Sequence, residues 1–503
     1  PSFLEGFLRR VFHPGSGVLM DNPDVEAIYA IRQLTLAFSK IALPSDSSNG
    51  GRSQVVTPER ERVAMSEYVH CEQDVRAADS FLDPSFREDF KNMSAMLFGE
   101  VFSKVDRDIY WDRIIPRHGP GAVADRLSQN EKWNQTTWPA RLGRIFPFES
   151  HAVLNGRVNL SRERRLDILE PGSETPVRVI SVPKTLKTPR IIAVEPTAMQ
   201  YLQQGLDRAF RSAIREDWFL TKVVGFDDQE PNRVLARSGS LSGDLATLDL
   251  SEASDRVSNQ HVLAMLEDWP LLSEAVQATR SRKADVRGHG VQRLAKFASM
   301  GSALCFPMEA MVFLTVIFTG IQRELSTPLS REAVVKRFHE RVRVFGDDLI
   351  VPRDYVLSVV NELSAFGHKV NVGKSYWTGR FRESCGREYY EGQDVSIVKV
   401  REVLPTRRQD ASAVVAAVSL RNRLYWAGLW KSAAFMDDYL GKLLGFRNFP
   451  NVAPTSALLG RESALGYQFH TLDPNHHSPI TKGYYVVAKS PHDPLEGAGA
   501  LLK

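Results

Sequence analysis

The stretch from Arg341 to Pro352, Arg-Val-Arg-Val-Phe-Gly-Asp-Asp-Leu-Ile-Val-Pro, constrains this chain more than any other. Val342 and Val344 alternate with arginines, and the apolar residues Leu349, Ile350 and Val351 follow an acidic pair. This alternation, broken by a glycine, predicts strand, tight turn, strand. Gly346 supplies the permissive backbone that the turn needs. Asp347 and Asp348 at the hairpin tip repel each other unless a cation relieves them. Magnesium prefers one or two carboxylates completed by substrate phosphates, so the hairpin is a candidate for metal-dependent phosphoryl transfer. Gly-Asp is also common turn chemistry, and on these residues alone an ordinary polar turn fits equally well.

The remaining bounds are broad. A chain of 503 residues has room for about three domains or one multi-lobed enzyme. Its 43% hydrophobic and 25% charged residues are ordinary for a globular protein. A net charge of +4 is mild, so any nucleic-acid binding must come from local clusters of charge. Three scattered cysteines, Cys71, Cys305 and Cys385, exclude a disulfide framework or a zinc site and fit a reduced, cytoplasmic setting. The most apolar run, Met311 to Phe318, is too short to span a bilayer, and no signal peptide is evident.

Along the chain, Phe3, Leu4, Phe7, Leu8, Val11 and Phe12 fall on one side of an expected helix that packs on the body rather than on a membrane. Residues from about 60 to 110 read as mainly helical, and His118 to Gly121 as a sharp turn. Trp133 and Trp138 read as core residues, with a stacking surface for bases as the other reading. Thr175 to Val194 carries Arg178, Lys184, Lys187 and Arg190, and its prolines exclude a helix before the strand Ile191 to Val194. A basic loop feeding a strand suits a triphosphate or a backbone phosphate, although a solvated charged loop has the same composition. Asp244 to Leu250 reads as a strand ending at Asp249, followed by a helix capped by Ser251 with Glu252 and Asp255 in its first turn. As plain capping acids, Asp249 and Asp255 would need no further role. Ser299-Met300-Gly301 lies in a small-residue loop that allows close backbone approach before an apolar helix from Ala310 to Ile321. Asn371 to Ser375 is a turn, Phe381 to Gly386 opens a second hairpin, and Ala411 to Leu444 is helical with Val414, Val415, Val418, Leu424, Trp426 and Leu429 facing inward.

Order now adds to what single motifs carry. Lys184 to Pro196, then Gln229, Asn232 and Gly239-Ser240, then Asp249 to Asp255, Ser299-Met300-Gly301, Gly346-Asp347-Asp348, Lys369-Val370-Asn371 and Phe381 to Gly386 follow one another. This series, over about His118 to Arg401, resembles the RNA-directed RNA polymerases of single-stranded RNA bacteriophages, the replicase catalytic subunits of leviviruses and their relatives. The resemblance implies an α+β right-hand fold. The N-terminal region and fingers would occupy residues 1–170, and fingers with a basic nucleotide-binding loop 171–243. The palm would span 244–400, interrupted by a fingers insertion at about 260–298, and a helical thumb with a C-terminal tail would occupy 401–503.

The resemblance also implies a site. Two magnesium ions, replaceable by manganese, would lie about 4 Å apart. Asp249 and Asp347 would be their main ligands, with the Leu250 carbonyl assisting and Asp348 more peripheral. Lys184, Lys187 and Arg190 would hold the phosphates of the incoming nucleotide. Asp255 would sense the ribose 2′ hydroxyl, with Ser299 and Gly301 supporting that pocket. Lys374 would be the general acid for pyrophosphate, with a plain surface lysine as the other reading. Glu309 stands where many RNA polymerases have asparagine, which leaves its role open. The implied partners are a single-stranded RNA template, nascent RNA and NTPs, without a membrane, in the cytoplasm of an infected bacterium. Members of the family also recruit host elongation factors Tu and Ts and a ribosomal protein. A reverse transcriptase fits Phe345-Gly346-Asp347-Asp348 as well, but the small or polar residues from Leu250 to Asp255 favour ribonucleotides. A catalytically inactive RNA-binding scaffold is the reading from another class, and the presence of all three aspartates argues against it.

Overall fold

The computed structural model describes residues 3–41, 57–128, 130–152, 166–183 and 188–487. Lys184 and Lys187 lie outside the described residues, as does the Ser/Gly-rich stretch from Ser45 to Arg52. The chain divides into two compact units. The larger gathers Glu61–Val182 and Arg190–Asp394; the smaller gathers the chain up to Arg60 and Val395–His492.

The larger unit is α+β. Its long amino-terminal helices, Pro58–Phe81 and Pro84–Tyr110, match the helical reading of that region. Asp83 caps the second by accepting from the Ser85 amide, and Pro84 takes the first helical position, where a missing N–H costs nothing. Phe90, Met93, Leu97, Phe98, Val101, Phe102 and Val105 recur at three- and four-residue spacing and are all buried. Trp138 is also buried, with its indole N–H donating to the Phe146 carbonyl, so the core reading of that tryptophan holds.

Two four-stranded sheets carry the motifs. The first is fully antiparallel, in the order Lys369–Val370, Leu245–Ser251, Asp348–Pro352, Arg343–Phe345. The second runs Arg190–Val194, Val177–Val182, Lys283–Val286, Gly290–Arg293, with a parallel pairing at its centre. Within the basic segment from Thr175 to Val194, the expected strand therefore has an antiparallel partner, Val177–Val182, and Arg178 lies in that partner strand.

The apolar helix is longer than Ala310 to Ile321: it spans Cys305–Leu325. By length and composition it is long enough to cross a bilayer, unlike the run Met311 to Phe318, but 89% of its most apolar window is buried inside the fold. It is the central core helix, packed on Pro84–Tyr110 and on Val356–Ala365. Gly320 allows a close approach to the latter, since a Cβ there would lie 2.9 Å from the Val359 Cα.

Three further expectations are corrected. No α-helix begins at Ser251; the strand runs on through it, Glu252 adopts a left-handed conformation, and only a short 3-10 turn, Ala253–Arg256, follows. The next helix, Asn259–Met265, is capped by Ser258. In the smaller unit the amino-terminal helix is confined to Glu5–Leu8, because Phe12 pairs with Leu19 and turns the chain, and Phe3 is exposed. In the helix pair Ala411–Trp426 and Trp430–Leu444, Val414 and Val418 are buried as expected, whereas Val415 and Trp426 face outward. The side-by-side apolar residues Val414 and Val415 cannot share one helical face.

Gly320→Val should destabilise the larger unit by about 1–3 kcal/mol through overpacking of these two helices. Urea unfolding followed by circular dichroism should show a lower midpoint at unchanged slope.

Candidate active site

The hairpin forms as its sequence predicts. Arg343–Phe345 and Asp348–Pro352 pair with Phe345 opposite Asp348, leaving Gly346 and Asp347 as the turn. Gly346 has φ +57°, and a Cβ there would meet the Phe306 ring at 2.7 Å. Glycine is therefore required twice, by conformation and by packing. The turn rests on an aromatic step in which Phe306 packs edge-on against Phe345 and Phe226.

The register of the neighbouring strand brings the motifs together. Leu245–Ser251 pairs antiparallel with Asp348–Pro352, placing Asp249 directly opposite Asp348. Directly opposed residues share a sheet face. Leu248 and Leu250 alternate with Asp249 and are buried in the core, which turns the Asp249 carboxylate to the other face. Leu250 itself pairs with Val370 on the adjoining strand.

Asp249 is held by the segment after that strand. Its Oδ2 accepts from Asn371 Nδ2 at 2.9 Å and faces Lys374 Nζ at 3.4 Å, and its backbone amide donates to Ser375 Oγ at 3.0 Å. Asp348 Oδ1 accepts from Ser384 Oγ at 3.4 Å, in the Phe381–Ser384 strand of the second hairpin. Asn232 supports the same corner, accepting from Arg343 Nε at 2.8 Å. Asp347 is exposed and makes no side-chain hydrogen bond or ion pair among the described residues.

Charge is concentrated here. Burial, followed by repulsion from Asp347 and Asp249, pushes the Asp348 carboxyl up to about 7. Burial also raises Asp249; Lys374 opposes that shift and Asp347 adds to it. Beneath the turn, Glu309 is fully buried, and burial with Asp347 and Asp255 nearby pushes its carboxyl well above the ordinary range. Its Oε2 accepts from the Cys305 thiol at 3.9 Å. Such an environment disfavours the charged form of the carboxyl.

Asp255 and Ser299 also meet, although 44 residues apart, with Ser299 Oγ donating to Asp255 Oδ1 at 2.7 Å. Gly301, at φ +130°, would place a Cβ 2.1 Å from the Ala193 carbonyl. The neighbouring Met300 carbonyl accepts from the Ala193 amide at 2.9 Å. The close approach granted by that glycine is thus to the Arg190–Val194 strand. Arg190 is exposed at the start of the strand and makes no side-chain hydrogen bond or ion pair among the described residues.

Sequence reasoning missed the groups behind Asp255. Lys296 is fully buried, with its ammonium 3.1 Å from Asp255 Oδ1, 3.4 Å from Glu72 Oε1 and 3.7 Å from the Tyr68 ring centroid. The Tyr68 hydroxyl shares a hydrogen bond of 3.0 Å with Ser299 Oγ. Burial alone would lower the Lys296 ammonium, but Asp255, Tyr68 and Glu72 outweigh it and hold it raised. Glu72 is spaced four residues from Tyr68 on one helix face, which is the only sequence signal, and an ordinary core stripe gives the same one.

The Asp348 shift has a consequence for stability. An aspartate whose folded pKa, about 7, lies above its ordinary 3.8 binds its proton more tightly when folded. Its ionisation therefore costs stability as pH rises through that window. In magnesium-free buffer, the melting temperature of Asp348→Asn relative to wild type should rise from about pH 4 to about pH 8 and level off beyond. Thermal unfolding across that range checks it, and a pH-independent difference would contradict it.

The comparisons with known proteins follow the same segments. Residues 172–426 match the family described as RNA replicase, beta-chain. The chain is 34% identical over 224 residues to the RNA-directed RNA polymerase subunit beta of Qbeta virus (strain MX1), covering 44% of this chain and 35% of that one. It is 34% identical over 253 residues to the RNA-directed RNA polymerase beta chain of Escherichia phage MS2, covering 50% and 40%. The chain thus spans 35 to 40% of the length of these curated relatives. The BmCPV RNA-dependent RNA polymerase at elongation state is a more distant solved structure, with TM-score 0.36 and 11% identity, covering 77% of this chain and 34% of that one. The family match takes in just over half of the residues and every motif assembled around Asp249, and the chain belongs to the RNA replicase beta-chain family.

Proposed function

We propose that this chain is an RNA-directed RNA polymerase that copies a single-stranded RNA phage genome from NTPs. The observation that carries the reading is the register of Asp249 against Asp348 with Asp347 in the adjoining turn. Two segments separated by about a hundred residues thereby present carboxylates on one sheet face, in a chain whose family relatives bear that name.

The donor set suits magnesium. Asp249 and Asp347 are hard oxygen donors that repel each other, and Asp249 already draws a cation, the Lys374 ammonium. Among the described residues no group of three or more His, Cys, Asp or Glu is placed to hold an ion by itself. Asp249 and Asp347 would be the main ligands, with Asp348 and the Leu250 carbonyl in support. When bound, two such ions supply Lewis acidity for the 3′ hydroxyl and neutralise charge on the triphosphate.

The reaction joins the 3′ oxygen of the growing strand to the α-phosphorus of an NTP and breaks the bond to pyrophosphate. The chain's own work is positioning. Asn371 fixes the Asp249 carboxylate, and the aromatic step under Gly346 fixes the turn. Lys374, half exposed beside Asp249, is the proton donor for pyrophosphate. Arg190, with Lys184 and Lys187, grips the incoming phosphates. Asp255 accepts from the ribose 2′ hydroxyl, which favours ribonucleotides over the deoxyribonucleotides of a reverse transcriptase. The names of the relatives, subunit beta and beta chain, support work within a multi-subunit replicase, for which host elongation factors Tu and Ts and a ribosomal protein are the expected companions.

Purified chain with a single-stranded RNA template, magnesium and four NTPs should synthesise RNA, and chelation should abolish synthesis until magnesium or manganese is restored. Asp347→Asn should lower incorporation by roughly 10²–10³-fold or more, the scale of losing one preorganised electrostatic partner. Incorporation unaffected by Asp347→Asn would refute the reading.

A further inference from the structure

The groups around Lys296 form a second organised cluster beside the strand carboxylates. The helix Pro58–Phe81 presents four side chains to two loops, at three- and four-residue spacing. Tyr68 bonds Ser299, the Cys71 thiol donates to the Asp255 carbonyl at 3.4 Å, and Asp74 accepts from Arg256 at 2.9 Å. Glu72 faces Lys296 and accepts from the Ala295 amide at 2.6 Å. One helix face therefore grips both the turn after the Asp249 strand and the approach to Ser299.

At the centre, Asp255 is asymmetric. Its Oδ1 takes both Ser299 and Lys296, while among the described residues its Oδ2 accepts no hydrogen bond and is not one of the buried oxygens that lack a partner. The carboxylate is held by one oxygen and leaves the other for a ligand. A buried ion pair is a poor device for stability, because desolvating the charges offsets their attraction. An ammonium with no exposure, shared between two carboxylates and an aromatic face, makes better physical sense as a way of fixing where Asp255 stands.

We infer that Lys296, bracketed by Glu72 and the face of Tyr68, is a specificity-determining positioning residue that aims the free oxygen of Asp255 at the 2′ hydroxyl of the incoming nucleotide. The inference rests on the proposed polymerase reading and adds the residues that set its sugar selectivity. It gives the helix Pro58–Phe81 a part in substrate choice that its distance in sequence from every active-site motif conceals. Lys296 touches neither substrate nor metal here; it acts through Asp255.

The test uses the whole chain as wild type, Lys296→Met, Lys296→Met/Glu72→Gln and Tyr68→Phe. Incorporation of ATP and of dATP is measured with kcat and KM resolved, and circular dichroism monitors the fold. The double variant leaves no lone buried charge at Glu72, and Tyr68→Phe keeps the ring under the ammonium while removing the bond to Ser299. The ratio of kcat/KM for ATP to that for dATP should fall roughly ten-fold in the lysine variants, through a weaker KM for ATP with dATP little changed. In Tyr68→Phe it should fall by a smaller factor in the same sense. Folded variants that lose ATP and dATP incorporation equally would assign Lys296 a merely structural role and overturn the inference, while leaving the polymerase reading intact. If wild type makes no RNA, that reading fails, and equilibrium binding of ATP against dATP decides the inference: equal affinities in wild type, or an unchanged preference in the variants, would overturn it.

Discussion

The backbone ladder between Leu245–Ser251 and Asp348–Pro352 sets Asp249 against Asp348 and governs everything around it. Like charges placed directly opposite in a sheet destabilise it, so the pairing must be imposed. Leu248, Leu250, Leu349 and Val351, all buried, impose it. A slip of one residue would turn that apolar set out of the main core and Asp249 into it. The packing of the apolar face thus holds the register, while burial, with Asp347 nearby, raises both the Asp348 and the Asp249 carboxyl.

The surrounding segments divide the support. The stretch after Lys369–Val370 tethers Asp249, the second hairpin and Asn232 steady Asp348, and aromatic rings carry the turn. A buried helix face holds Asp255 from behind. Asp347 alone is left exposed and without a bonded partner among the described residues. That distribution suits the proposed site, whose ligands would be fixed before substrate arrives and whose remaining coordination would come with it.

What the sequence made legible follows from range. The Arg343–Pro352 hairpin, the Asp249 strand and the long amino-terminal helices are written in local periodicity, and each formed. The pairing of Asp255 with Ser299 was legible only through the order of motifs. The supposed helix at Ser251 failed because Ser-Glu-Ala-Ser-Asp has capping chemistry, yet pairing of Ser251 with Lys369 keeps the strand going. Lys296 was passed over because a lysine before Phe297 says nothing of burial; its partners Glu72 and Tyr68 lie more than two hundred residues earlier. Such tertiary contacts carry no local pattern. Glu309 shows the reverse case, a departure visible in sequence whose setting, a buried carboxyl pushed well above the ordinary range, needed the fold.

The proposed coordination of a cation by the converging carboxylates can be read without any turnover. Binding of Mn2+, followed by electron paramagnetic resonance with and without an NTP, should show tight nucleotide-enhanced binding to wild type. Asp249→Asn and Asp347→Asn should each weaken it sharply. Equal Mn2+ binding in wild type and both variants would contradict a shared cation site built from the two strands.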